Sequence, residues 1–253
     1  MSGSKPMENV NDYIEHVKSP WGRMFYDLLF IQLDIPETPR LKILDFGSGL
    51  GVTADYYAAW HDVTAVEYNA EMIVNRFREN SYTQIHGAVE HIAAFSSNTF
   101  DVVICHNVLE YIKDQEPVFA ELLRVLKPGG TLSVVKHNQY GKVFHSAVFW
   151  NDPGKALSLL KNSTSGNINF IGTQYIYSYK DAAAWSEKYG GTIKRVFGMR
   201  AFWALGQNSD VKYNDDWYRN MLELERQAAD IDEYKNAAYH NHILIEKRSW
   251  TDE

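Results

Sequence analysis

A single cysteine, Cys105, stands among 253 residues, which excludes an internal disulfide and a cysteine-rich metal site. It ends the apolar run Asp101-Val102-Val103-Ile104-Cys105, where a buried strand position suits it better than a nucleophile's role. No His, Asp or Glu spacing suggests a metal ligand set, so no metal is expected. The opening stretch, Met1 to Asn11, lacks a long apolar core, so no signal peptide or membrane anchor is expected and the cytoplasm is the expected location. Positive charge is in deficit: 25 Lys and Arg stand against 32 Asp and Glu, a formal net charge of −7. A protein-wide attraction to nucleic acid is therefore not expected, although a local basic patch remains open. Repeats and low-complexity tracts are missing too. What is present is an ordinary globular composition, 45% hydrophobic and 23% charged, enough for one α/β domain carrying an insertion.

Along the chain, residues 1–11 read as a loose tail, and Val10–Val17 and Trp21–Leu33 as helices, separated by Ser19 as N-cap and Pro20 in the first turn. Leu41–Phe46 is a short apolar strand that runs into a glycine-rich turn. A helix is expected over Thr53–Trp60, a strand over Val63–Glu67, a helix over Ala70–Glu79, and strands over Thr83–His86 and Phe100–His106. Glu116–Leu126 follows as helix, Lys127-Pro128-Gly129-Gly130 as a turn, and Thr131–Lys136 as strand. Such alternation predicts a parallel sheet with helices on both faces. Residues 137–178 break the rhythm and read as an irregular insertion. After them come a helix over Tyr179–Lys188, a strand over Thr192–Phe197, a helix over 213–229 and a last strand over His242–Lys247.

The turn Gly47-Ser48-Gly49-Leu50-Gly51 has the pattern G-x-G-x-G. Its glycines let backbone approach a ligand without a Cβ, and the following helix offers free N–H groups. Nicotinamide enzymes place their third glycine one position later, where Val52 stands here. Asp45 precedes the turn, where a carboxylate orders the loop and reaches a ligand ammonium through water, or forms an Asx turn. Glu67 closes the second strand, placed to accept hydrogen bonds from two ribose hydroxyls, with Tyr68 next to it; a solvated strand end is the alternative. Gly87-Ala88-Val89-Glu90 follows the third strand, and His106-Asn107-Val108-Leu109-Glu110-Tyr111 the fourth, at the edge where ligands bind in such folds.

These motifs, over residues 41–136, resemble in order and spacing the S-adenosylmethionine-binding domain of the type 11 class I methyltransferases. The resemblance implies a seven-stranded Rossmann-like α/β fold whose last two strands, Thr192–Phe197 and His242–Lys247, are added antiparallel. It implies one domain over 1–253: a helical lid at 1–33, a cofactor core at 34–136, and cap-like insertions at 137–178 and 199–239. S-adenosylmethionine is the implied cofactor and S-adenosylhomocysteine the product. Many relatives carry Gly-Asp-Ala after the third strand; Ala88 stands in the aspartate's place, so adenine recognition falls to Val89 backbone and Glu90.

The C-terminal half carries the acceptor signal. Lys136–His145, Phe197–Phe202 and Leu222–Glu225 resemble, in that order, the bacterial methyltransferases that esterify 5-carboxymethoxyuridine in the tRNA anticodon. That resemblance puts Arg23, Gly47, Ser48, Glu67, Val89, Glu90 and His106 at the cofactor; Asp45, Gly49, Gly51 and Tyr68 join them from the motif itself. It makes Arg200 a substrate clamp, whose guanidinium fork matches a carboxylate, and Arg200 and His106 the catalytic pair. Asn138 and His145 line the acceptor pocket or pack loops, with Phe202 beside Arg200 as aromatic surface. His240 and His242 read as structural. The Asn-Pro-Pro-Tyr motif of amine methylation is missing, and Cys105 lies inside a strand, so a ready-charged oxygen is the simplest nucleophile. Three functions remain open: a carboxylate O-methyltransferase acting on tRNA, a methyltransferase for a small carboxylic acid or quinone precursor, and a non-catalytic S-adenosylmethionine-binding protein.

Overall fold

The structure is a computed structural model that describes residues 9–161 and 172–249. Two helices open it. Asn9 caps α1 (Val10–Lys18) by accepting the Asp12 N–H at 3.0 Å. Ser19 then ends α1 and caps α2 (Pro20–Leu33), its hydroxyl accepting the Trp21 N–H at 3.3 Å. Proline at the first position of α2 has no N–H to leave unpaired. Of the expected tail, residues 1–8 lie outside the described residues.

Seven strands form one mixed sheet in the order β3-β2-β1-β4-β5-β7-β6. They are β1 (Lys42–Phe46), β2 (Asp62–Glu67), β3 (Thr83–His86), β4 (Phe100–His106), β5 (Leu126–His137), β6 (Gly191–Met199) and β7 (His240–Lys247). β1 to β5 pair parallel. β7 runs against its neighbours: Asn138, just past β5, donates its N–H to Tyr239 ahead of β7, and Arg248, just past β7, donates to Gly190 ahead of β6. This is the Rossmann-like α/β architecture that the sequence predicts, with one correction: β6 runs in the direction of β1 to β5, and β7 is the reversed strand rather than both. Ile43, Leu44, Val103, Ile104, Cys105, Leu132 and Val134 are wholly buried, as parallel strands covered on both faces require.

Helices fill the connections: α3 (Val52–Ala58), α4 (Ala70–Val74), α5 (Val89–Ala93), α6 (Gln115–Val125), α7 (Gln139–Phe144), α8 (Pro153–Lys161), α9 (Tyr179–Lys188), α10 (Asp215–Ala228) and α11 (Asp232–Ala237). Three expectations need correction. α4 stops at Val74 rather than Glu79, because the chain beyond it bonds elsewhere: Phe77 N–H to Leu50 O at 2.8 Å, and Asn80 to Asp55 through both backbone and side chain. Lys127–Gly130 is no turn but part of β5, where the pairing steps from Phe100–Leu126 to Val102–Thr131 and the intervening residues bulge. The segment 137–178 is not irregular over residues 139–161. It forms α7, a π-helical stretch over His145–Phe149 and α8, with 162–171 outside the described residues.

The chain divides into two compact units. Unit 1 comprises Met1–Asp34, Lys136–Ile176 and Val196–His242; unit 2 comprises Ile35–Val135, Tyr177–Arg195 and Ile243–Glu253. In unit 1, Gln32 is the buried polar hub: its Nε2 donates to Gly198 O and its Oε1 lies 3.0 Å from His242 Nδ1. In unit 2, Arg124 of α6 ties Ile92 O, Phe95 O and the Glu121 carboxylate together. Among the described residues, no helix is long and apolar enough to cross a membrane.

Candidate functional site

The glycine turn in unit 2 is built by its own backbone. Gly47 and Ser48 both donate to Val66 O, at 2.8 and 3.1 Å, and Gly51 donates to Ser48 O at 2.8 Å. Gly47, Gly49 and Gly51 adopt φ of +74°, +55° and +69°, a region that costs a residue with a Cβ about 1–2 kcal/mol. A Cβ on Gly47 would collide with the Val108 side chain, and one on Gly51 with the Tyr82 hydroxyl. At Gly49 the nearest atom would be Met72 Sδ at 3.8 Å. The bare backbone there borders open space.

Two buried carboxylates flank this turn. Glu67, only 4% exposed, accepts the Gly49 N–H on Oε2 and the Asn69 N–H on Oε1, each at 2.8 Å. Each oxygen keeps a further lone pair for a hydroxyl donor. Burial raises the Asp45 carboxyl to about 7; the Glu67 charge adds to the shift and an Ala54 N–H opposes it. Asp45 Oδ2 and Ser48 Oγ are buried with no hydrogen-bond partner among the described residues. Such groups are costly unless a ligand pairs them. Past β3, the Ala88 N–H bonds Glu90 Oε1 at 3.2 Å. The Glu90 carboxyl is held below its usual range by its own N–H first and that of Ala88 second. Tyr68 is exposed, and its carbonyl accepts from His86 at 2.9 Å. His106 Nε2 lies 2.7 Å from Ser133 Oγ on the adjacent strand β5.

In unit 1 the central group is Arg200. It is 8% exposed, takes a left-handed φ of +61°, and has a buried Nε with no partner among the described residues. Its guanidinium lies 5.3 Å from the Tyr239 ring centroid. Burial first, and the Arg200 charge second, lower His16 and His145 to about 4. His240 falls well below its ordinary value through burial, then His137, then Arg200. Lys212 is lowered to about 8 by burial and again by Arg200. Its ammonium stands 4.7 Å from the ring centroids of both Trp21 and Trp203 and donates to Trp203 O. Around Arg200, His16, His145 and His240 are therefore held toward their neutral forms, while the guanidinium and the Lys212 ammonium carry positive charge.

A methyltransferase domain model matches residues 44–134. The chain is 26% identical to the tRNA 5-carboxymethoxyuridine methyltransferase of Escherichia coli K12, over 82% of this chain and 80% of that one. It is 27% identical to the ubiquinone biosynthesis O-methyltransferase of Pseudomonas aeruginosa UCBPP-PA14, over 74% and 79%. Among solved structures, an S-adenosylmethionine-dependent methyltransferase from Archaeoglobus fulgidus superimposes with a TM-score of 0.59 at 13% identity, over 93% of this chain and 99% of that one. The chain is an S-adenosylmethionine-dependent methyltransferase. The cradle fits its cofactor: open space at Gly49, the orphaned Asp45 and Ser48 oxygens, and a fixed Glu67 carboxylate are what an amino acid joined to a nucleoside needs.

The remaining residues singled out by sequence are spread differently in this methyltransferase. Arg23 belongs to unit 1, where it covers the Tyr218 ring at 4.1 Å and pairs with Asp27 and Asp215 at 3.6 and 3.8 Å. Asn138 caps α7: Nδ2 donates to Asn236 O and Ala238 O, and Oδ1 accepts the Tyr140 N–H. These are loop-packing contacts. The His145 ring stacks on Phe149 at 4.7 Å, and Phe202 lies 5.1 Å from the Tyr234 ring. His242 is fully buried against Gln32. Sequence reading passed over His16 and Lys212, and gave Glu225 no role beyond its place in the Leu222–Glu225 resemblance; all three attend Arg200. A lone charge on an amphipathic helix gives no sign that it turns inward. Among the described residues no group of His, Cys, Asp and Glu could hold a metal ion.

Proposed function

We propose that this methyltransferase esterifies a carboxylate, with 5-carboxymethoxyuridine at the tRNA wobble position in the cytoplasm as its acceptor. The observation that carries the reading is Arg200: a buried guanidinium with an unsatisfied Nε, surrounded by imidazoles that have given up their charge. Such a group calls for an anion, and its planar fork matches a carboxylate. The Escherichia coli relative's name supports that choice of acceptor.

S-adenosylmethionine supplies a methyl on a cationic sulfur. A carboxylate accepts a methyl without giving up a proton, so this chain needs no general base and works by positioning and water exclusion. In this reading Gly47, Ser48, Gly49 and Gly51 cradle the methionine end, with Asp45 toward its ammonium and His106 close by. Glu67 takes the ribose hydroxyls beside Tyr68, and Val89 and Glu90 lie along the adenine. Arg23 completes the cofactor set, while Arg200 grips the acceptor with His145, Phe202 and Asn138 around it.

Incubation of the protein with methyl-labelled S-adenosylmethionine and bulk tRNA tests the reading. Label that enters tRNA and leaves under mild base is the expected result, because esters hydrolyse and methylated amines do not. Label entering only small acids or phenols would favour the second reading, a quinone-precursor enzyme, which the Pseudomonas relative's name supports.

A further inference from the structure

α10 carries a carboxylate that is 2% exposed, Glu225. Its Oε2 accepts the Ala201 N–H at 2.8 Å, and its Oε1 accepts those of Phe202 and Trp203 at 2.9 and 2.7 Å. Three successive backbone N–H groups turned onto one anion form a nest, and here the anion is the chain's own. The turn they belong to starts at Arg200, whose left-handed backbone persists only where its surroundings enforce it. Burial raises the Glu225 carboxyl, while the Trp203, Ala201 and Phe202 N–H groups and the Arg200 charge oppose the rise. A buried carboxylate is an expensive way to fasten a turn, since a neutral acceptor would avoid most of the desolvation. Its charge acquires a use near a buried guanidinium, which burial destabilises and which Tyr239 first and Glu225 second steady.

Resting on the reading of Arg200 as the clamp, we propose that Glu225 is its positioning residue. Glu225 fixes the backbone from which the guanidinium is aimed and offsets its charge. Its oxygens are taken by the backbone of residues 201–203, so the guanidinium is left for the acceptor anion. The arrangement separates two jobs that one ion pair would merge: neutralising Arg200 and holding it still.

The test compares wild type with Glu225→Gln on an anticodon stem-loop bearing 5-carboxymethoxyuridine. The glutamine carbonyl can still take the Phe202 and Trp203 N–H groups, but its NH2 faces that of Ala201, and the charge is gone. KM for the stem-loop should rise about tenfold, with kcat changed far less and S-adenosylmethionine affinity unchanged. The Arg200 Nε–H resonance, assigned through its loss in Arg200→Lys, should move in Glu225→Gln. A lower melting temperature with unaltered KM and an unmoved resonance would overturn the proposal and leave Glu225 a fold anchor. Wild type that binds S-adenosylmethionine but leaves the stem-loop unmethylated would refute the acceptor reading. The resonance then decides the positioning role alone, a shift supporting it and no shift overturning it.

Discussion

The Asp45 carboxyl sits at about 7 because it is buried and because Glu67 adds negative charge beside it. They stand at the ends of the neighbouring parallel strands β1 and β2, with Asp45 paired to Ala65 and Glu67 two residues further along. Among the described residues no cation offsets the Asp45 charge; a backbone N–H from Ala54 opposes the rise. A ligand ammonium would supply that charge. Affinity for S-adenosylmethionine should therefore climb between pH 6 and 8 as Asp45 loses its proton, and Asp45→Asn should flatten the climb. Calorimetric titration at several pH values checks it; an identical slope in the variant would remove Asp45 from the site.

The same carboxyl has a stability signature. A carboxyl pKa raised on folding means that the native state holds the proton more tightly than the unfolded chain. Its favourable contribution is present below the ordinary value of 3.8 and is lost as pH rises toward 7. In the ligand-free protein, Asp45→Asn should gain stability above pH 7 relative to wild type. Urea melts of both proteins at pH 5 and 8 measure the difference.

Gly47 and Gly49 should part company on substitution with alanine. Both lie at positive φ, so each substitution costs about 1–2 kcal/mol of strain. Gly47→Ala also drives a methyl into Val108, adding about 1–3 kcal/mol of overpacking, and should show chiefly as a lower melting temperature. Gly49→Ala meets only Met72 Sδ at 3.8 Å, an ordinary contact, and should cost no more than the strain, yet weaken S-adenosylmethionine binding by at least about tenfold, since its methyl enters the cofactor's volume. Equal affinity losses in the two variants would count against the cradle.

Arg200→Ala should reduce methyl transfer to tRNA by about 100-fold or more, the scale of losing a desolvated charge pair, while S-adenosylmethionine affinity stays near wild type. Arg200→Lys should rescue little, because an ammonium lacks the planar fork. A large loss of cofactor affinity in Arg200→Ala would sink the clamp.

His242 makes a prediction in acid. Burial lowers it to about 3, so the native state favours the neutral ring. Its contribution is intact above the ordinary value of 6.5 and is lost as pH falls toward 3, at about 1.4 kcal/mol per pH unit. Denaturant melts should show a steeper decline below pH 6.5 in wild type than in His242→Gln.

The cofactor half was legible because its signals are local. Glycines at positive φ, an acidic residue closing a strand and short apolar strands are read from a few neighbouring positions, and the strands stand where they were expected. Helix ends that depend on distant partners were not. α4 is cut short by Phe77 bonding to Leu50 and Asn80 to Asp55, contacts that leave no periodic trace. Lys127–Gly130 has turn chemistry, yet the pairing with β4 continues on either side of it. The surroundings of Arg200 were the least legible. Glu225 lies on a helix whose other acids, Asp215, Asp216 and Glu223, face water, and only the turn at 200–203 singles it out.

Unit 1 is drawn from three stretches of chain that lie far apart in sequence. On the ribosome, α2 emerges long before Gly198, His242 and Tyr218, the partners of its Gln32 and Asp27. Contacts of such long sequence separation form late and slowly, so α1 and α2 must wait through most of synthesis with their apolar faces uncovered. Truncation after β5 should therefore yield a chain that aggregates through these first helices.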